Sequence, residues 1–268
     1  MKSLSIHLCL ALAGIFCADV ARAVDTSDDR LTFSANGSTL TDTNGGGGGA
    51  VGWLHNFSAD TIFGAAGEYQ KIADAHWAFG SLNGSITSGE PDGRLSVYGE
   101  IHEGSGNTGT HDFKYAIEAL GVIRTFAHRF SAQLEDKQIN IDTQHGNLPK
   151  IGGSVLWSPT LSTAVAYQRS FDGNLGTSLG SVRIDLYSKY LNWLGGGAFG
   201  KGSPAVLNLT TGLFQPGSTL REEFLGISRS VGHGDLSLVA DYVDLGGSKK
   251  ATLTLSYIVD LRPPGQAK

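Results

Sequence analysis

Residues 251–261 read ATLTLSYIVDL. Every odd position in this stretch, Ala251, Leu253, Leu255, Tyr257, Val259 and Leu261, is apolar or aromatic, and between them stand Thr252, Thr254, Ser256, Ile258 and Asp260. Side chains alternate across a strand with a period of two, so the segment is a strand with one greasy and one mostly polar face. That greasy face needs a protein core or lipid, and the rest of the chain decides between them.

The same period recurs in segment after segment, and no stretch shows a convincing run at helical spacing. In 113–125 the odd positions include Phe113, Tyr115, Ile117 and Ile123, against Lys114, Glu118 and Arg124. In 182–190, Val182, Ile184, Leu186 and Tyr190 oppose Arg183, Asp185 and Lys189; in 236–242, Leu236, Leu238, Ala240 and Tyr242 oppose Ser237, Val239 and Asp241. The segments predict 14 strands, at about 30–43, 46–57, 61–71, 75–87, 93–104, 112–126, 129–142, 150–158, 160–171, 179–190, 193–208, 219–231, 235–245 and 250–261. The first, fourth, eleventh and twelfth alternate poorly, so a count of 12 stays open.

Connections come in two kinds. Short ones at 58–60, 127–129, 158–160, 191–192 and 232–235 alternate with longer Gly/Asn/Ser-rich ones at 44–49, 104–112, 143–149, 172–177 and 201–219. Short turns at one end and long loops at the other are how a membrane barrel treats its two ends. Phe57, Phe130, Trp157 and Trp193 lie beside short turns, and Tyr69, Phe113, Tyr167 and Tyr242 lie at the other strand ends. Two such belts are expected where a barrel meets the two membrane interfaces.

Composition decides against a soluble sandwich. Charged residues are 17% of the chain, whereas a water-facing sheet usually carries nearer a quarter. The polar face is rich in Ser, Thr, Gly and Gln, closer to a lumen than to an open surface.

The chain begins MKSLSIHLCLALAGIFCADVARA: an early lysine, an apolar run and the small-residue pattern Ala21-Arg22-Ala23. This predicts a secretory signal peptide over 1–23, because the run is far short of the roughly 20 residues a membrane helix needs. Cleavage takes Cys9 and Cys17 with it and leaves 245 of the 268 residues, with no cysteine and so no disulfide. The barrel is then expected over 24–261, with a short tail over 262–268. The formal net charge of −5 argues against nucleic acid as partner.

Catalytic and metal constellations are weak. His233, Asp235 and Ser237 share a face, but residues two apart on a strand are about 6.8 Å apart, beyond the roughly 3 Å a nucleophile and base need. The histidines show no H-x-x-x-H spacing, so neither a metal nor a cofactor is expected. The glycines at 45–49 lack a following lysine and helix and read as a flexible loop, not a phosphate cradle.

The better functional clue is the charge assigned to the lumen. The alternation places Lys114, Glu118, Arg124, Arg183, Asp185, Lys189, Asp235 and Asp241 on the polar face, as the lining of a passage. Whether that lumen is open or filled by loops is left undecided, since strand count permits either.

The whole chain after the leader resembles bacterial outer-membrane β-barrels as a class. The segments GWLHNFSADTIFGAAGEYQ at 52–70 and the closing ATLTLSYIVDL are also similar to the YaiO-type family of small outer-membrane barrels. The resemblance implies an antiparallel, up-and-down transmembrane β-barrel in a Gram-negative outer membrane, with lipid and the barrel-assembly machinery as partners. Barrels of this class commonly end on an aromatic residue, whereas here the strand closes on Leu261, followed by a tail with Pro263 and Pro264. The expected function is a channel for polar solutes or for export of a polymer, with a polar small molecule or polysaccharide as cargo. The alternatives are a structural or surface-binding barrel acting through its loops, especially 201–219, and, less favoured, a lipid-acting enzyme.

Overall fold

In the computed structural model the chain forms a closed antiparallel barrel of 14 strands. The structure describes residues 29–261 apart from 42–44, 59, 91–92, 212 and 214–216. The expected leader and the 262–268 tail lie outside the described residues.

The strands are β1 (Asp29–Leu40), β2 (Gly46–Ser58), β3 (Thr61–Ile72), β4 (Ala75–Ser88), β5 (Leu95–Asn107), β6 (Asp112–Phe126), β7 (Phe130–Ile141), β8 (Gln144–Asn147), β9 (Lys150–Ser158), β10 (Leu161–Arg169), β11 (Ser178–Leu186), β12 (Asn192–Lys201), β13 (Thr219–Val231), β14 (Gly234–Leu245) and β15 (Ser248–Asp260). One helix, α1 (Pro204–Thr211), stands between β12 and β13. Each strand pairs with its sequence neighbours, and β1 closes the ring on β15, from Arg30↔Asp260 to Leu40↔Lys250. The fifteenth strand is not a stave: β8 folds back on the tip of β7, while the rest of β7 pairs with β9. Closure leaves none of the 14 staves with an unpaired edge.

Both described termini emerge at one end, with the turns at 59–60, 89–94, 127–129, 159–160, 187–191 and 232–233. We call this the terminal end and the opposite one the loop end. The tightness of some turns comes from left-handed backbone, as at Ala127 (φ 48°) and His128 (φ 55°).

The opening question is answered by exposure. Leu253 and Leu255 are 52% and 50% exposed, while Ser256, the next residue along, is 6% exposed. The greasy face of β15 points out of the barrel. It continues around the circumference through Val51, Leu82, Ile101, Leu120, Leu134, Ile151, Val165, Ile184, Leu225 and Leu238. A continuous apolar belt of this size has no place in water, and in a bilayer it is the face that meets the acyl chains. Phe57, Phe130, Trp157 and Trp193 edge it at the terminal end, and Tyr69, Tyr167 and Tyr242 at the loop end. Among the described residues no helix is long and apolar enough to cross a membrane.

Two expectations are corrected here. The strand expected over 193–208 stops at Lys201, because Pro204 cannot continue a ladder and is suited to the first helical position. Ser203 caps α1, with its Oγ accepting from Val206 N at 3.4 Å and its carbonyl from Leu207 N at 3.0 Å. The aromatic Phe113, expected in the loop-end girdle, is instead 5% exposed and packs inside.

Candidate functional site: the lumen and its plug

α1 and the flanking described residues of the β12–β13 connection fold into the loop-end mouth. Val206 and Leu207 of α1 are fully buried and Leu209 and Leu213 nearly so. Val206 and Leu209 pack on Ile72, Trp77, Phe113, Tyr115, Ile117, Ile139 and Ile141, which line the inner wall of β3, β4, β6 and β7. Leu207 and Leu213 pack on Leu179, Ala198, Leu220, Val243 and Leu245 of β11 to β14. The helix thus bridges opposite walls as an apolar plug.

Neighbouring loops lock it in place. Ser203 N donates to Leu175 O at 2.9 Å, and Leu175 is itself fully buried in the 170–177 loop. That loop is tied to β8 through Asp172 Oδ1, which accepts from Asn147 N at 2.9 Å, and Asn174 Oδ1, which accepts from His145 N at 2.8 Å. Gly173 makes the close approach: its φ is +68°, and a Cβ there would sit 1.9 Å from His145 O. On the last strand, the Lys250 ammonium donates to the carbonyl of Thr211, the final residue of α1.

Below the plug the inner wall turns polar. On β5, β7 and β9, Glu135 takes Lys137 at 3.3 Å and Lys150 at 3.1 Å, and also accepts the Tyr98 hydroxyl. Gln133 Nε2 donates to that hydroxyl at 2.6 Å. Gly121, paired with Tyr98, makes room for the ring, since a Cβ there would lie 2.2 Å from it. His102 and Glu100 form a neighbouring pair. On β11 the Arg183 guanidinium grips Asp185 through two nitrogens at 2.7 and 2.9 Å. Arg30 and Asp260 pair at 3.0 Å where the barrel closes near the terminal end.

The opposite wall is less balanced. Glu222 on β13 and Asp241 on β14 both face inward, as does Lys250 on β15. Thr252, in register with Asp241, shares a 3.1 Å hydrogen bond with Ser38 of β1.

The sequence-predicted lining divides into three groups. Arg183, Asp185, Asp235 and Asp241 lie on the inward face; Asp235 is at the terminal rim, accepting from Ser230 Oγ at 2.6 Å. Lys189 is not on a strand: β11 ends at Leu186, and Lys189 sits in the turn with its ammonium 5.3 Å from the Tyr190 ring centre. Lys114, Glu118 and Arg124 point outward, with Phe113, Tyr115, Ile117 and Ile123 buried inside. The physical reason is that β6 outruns the lipid belt: past Leu120 its outer face meets water, while its inner face meets the apolar plug. Arg124, at the other end, reaches back over the Phe126 ring at 5.2 Å, as a snorkelling side chain does.

Residues that the sequence reading passed over are Lys150, Lys250, Tyr98 and the whole of α1. Extending the alternation of β9 and β15 by one step places both lysines inside. The Ser203-Pro204 pair carried the helix-start signal.

His233 lies in the β13–β14 turn and makes no hydrogen bond to Ser237. Among the described residues no group of three or more His, Cys, Asp or Glu is placed to hold a metal ion.

No family model matches the sequence, and no curated protein matches it. Among solved structures, the chain is similar to the CymD monoaromatic hydrocarbon channel, with a TM-score of 0.58 and 10% identity over 89% of each chain. The Ralstonia pickettii toluene transporter TbuX matches with a TM-score of 0.55 and 8% identity, over 89% of this chain and 90% of that one. The Acinetobacter baumannii outer membrane protein Omp33 matches with a TM-score of 0.54 and 12% identity, over 86% and 98%. At these identities the likeness is one of fold: the chain shares the closed barrel of known outer-membrane channels across most of its length.

Proposed function

We propose that the protein is an outer-membrane channel that passes small polar solutes through the barrel lumen, with α1 as a plug that governs the loop-end mouth. The observation that carries this reading is the division of the interior: an apolar roof built on α1, and beneath it a wall of charged and amide side chains with no continuous apolar core. A barrel serving only as a scaffold has no need of a polar, charge-lined interior, since apolar packing is at least as stabilising as buried ion pairs. Two of the fold relatives, named as a channel and a transporter, support the same reading. On it, Arg183, Asp185 and Asp241 line the passage and Asp235 its terminal mouth.

The proposal includes export by the 1–23 leader, a Gram-negative outer membrane as the site and the assembly machinery of that membrane as the route of insertion. Kinship with the YaiO-type family rests on β2–β3 and β15. The plugged mouth favours small solutes over an extended polymer, which would need α1 displaced. It also disfavours loop 201–219 as a docking surface, because its described residues Val206, Leu207, Leu209 and Leu213 are buried inside.

A second reading has its own observation. The rings of Phe79, Phe113 and Tyr115, with Trp77 in the same cluster, form an aromatic wall beside the plug, suited to an apolar aromatic solute. Two of the fold relatives are named for such cargo. Purified protein in planar bilayers tests the first reading by discrete current steps, and silence over repeated insertions contradicts it. Vesicle uptake of toluene without ionic current would favour the second.

A further inference from the structure

Immediately beneath the plug, Glu222 and Asp241 are diagonal neighbours on β13 and β14, one inward step below Leu220 and Val243 of the apolar roof. Glu222 is 3% exposed, whereas its outward neighbours Arg221 and Glu223 are well exposed and paired with each other at 2.5 Å. Neither oxygen of the Glu222 carboxylate has a hydrogen-bond donor, nor has Asp241 Oδ1. On β1, across β15 from Asp241, the inward Asn36 Oδ1 is likewise without a donor. Lys250 is the base that faces these acids; its ammonium donates to the Thr211 carbonyl of the plug, and its one charge is set against two carboxylates. Among the described residues neither acid has an ion-pair partner. Elsewhere on the inner wall the acids Glu135, Asp185 and Asp260 each hold a lysine or arginine.

A buried carboxylate without donors is costly, and the group that relieves it is a cation carrying several N–H donors or a shell of exchangeable ligands. Resting on the channel reading above, we propose that Glu222 and Asp241 form a charge filter under α1, selecting solutes that carry a monovalent cationic group, such as a primary ammonium. The groups left without partners are acceptors: the two carboxylates and the oxygen of the Asn36 amide. An anionic solute meets two carboxylates against the single ammonium of Lys250, so the site stays acidic. Charged groups at a constriction set the sign of the ions that pass, and this pair sits directly beneath the part of the plug that packs on Leu220 and Val243.

The test is the reversal potential of the full-length protein in planar bilayers under a KCl gradient, repeated with butylammonium chloride. A second protein, with 203–217 replaced by a short Gly/Ser linker and Lys250 by methionine so that no freed ammonium neutralises the pair, keeps the measurement accessible if the plug rarely opens. The expected result is a potential of the sign for cation selectivity in both salts. It should collapse toward zero in the double variant Glu222→Gln/Asp241→Asn and stay unchanged in Glu223→Gln, which removes the adjacent charge on the outer face. Selectivity in KCl alone would reduce the site to an inorganic-cation filter and overturn the ammonium assignment. Currents that are anion-selective, or cation-selective but indifferent to the double variant, would overturn the filter and leave the channel standing. Silence from both proteins would overturn the channel reading and the filter with it.

Discussion

The ammonium of Lys250, on the strand that closes the barrel, donates to the carbonyl of Thr211 at the C-terminal end of α1. One bond therefore ties the wall to the plug, and it does so where helix carbonyls lack intrahelical partners and a cation is favoured. Lys250 is 7% exposed, so little water is available to replace it. Replacing Lys250 by methionine leaves that carbonyl unsatisfied, at a cost of about 1–3 kcal/mol. The expected outcome is more frequent and longer openings in planar bilayers at the same insertion frequency. Gating indistinguishable from the natural protein would show that the bond does not hold the plug.

A charge placed in the apolar roof should release the plug outright. Val206→Asp and Leu207→Asp each bury a carboxylate among aliphatic and aromatic side chains, which is relieved only when α1 leaves the mouth. The outward belt is untouched, so the barrel itself should persist. Single-channel conductance is expected to rise and become steady while the folded band on an unheated gel is retained. A folded variant with unchanged conductance would place the constriction elsewhere.

The direction of β6 can be tested by two neighbouring substitutions on one face. Leu120→Arg puts a charge at the loop-end edge of the lipid belt and should cost about 1–2 kcal/mol, between the midplane and interface values. Glu118→Gln, outward but beyond the belt, should change stability by about 0.5 kcal/mol or less. Urea unfolding in lipid vesicles reads both. If Glu118→Gln proved the more damaging, the strand would face the other way.

The Glu135 cluster carries a stability prediction. Glu135→Gln leaves Lys137 and Lys150 buried without their carboxylate, and breaking such a pair costs about 3–5 kcal/mol. Gly121→Ala attacks the same cluster from the side, pushing the Tyr98 ring off its seat, with an overpacking cost of about 1–3 kcal/mol. Both should lower the urea midpoint, and the two effects should be less than additive because they break one network. Full additivity would mean that the ring and the carboxylate act independently.

The barrel was legible because its lipid-facing half obeys a simple rule. Leu253, Leu255 and Tyr257 alternate with Thr252, Thr254 and Ser256, and hairpin after hairpin repeats that contrast at the expected spacing. The alternation fails as a guide beyond the lipid belt. On β6, Phe113, Tyr115 and Ile117 are greasy because they roof the lumen, and Lys114 and Glu118 are charged because they meet water. The period is the same and the meaning is reversed. Only the middle pair, Leu120 and Val122, facing out with the lysine and glutamate, betrays the true phase within the sequence.

The plug was hidden for a different reason. Residues 193–208 contain a strand and half a helix in succession, and a search for period two reads through Ser203-Pro204 without stopping. Of the lumen residues, Asp185, Arg183 and Asp241 follow from alternation alone. The bond between Lys250 and Thr211 joins groups 39 residues apart in the chain and requires the folded loop. No local pattern encodes it.

The central claim, that this barrel is a channel whose mouth is governed by α1, is tested most directly by planar-bilayer current from two proteins: the natural chain and one with 203–217 replaced by a short linker. The account predicts sparse, small steps from the first and large, steady conductance from the second. Equal currents from the two would contradict the plug, and silence from both would contradict the channel.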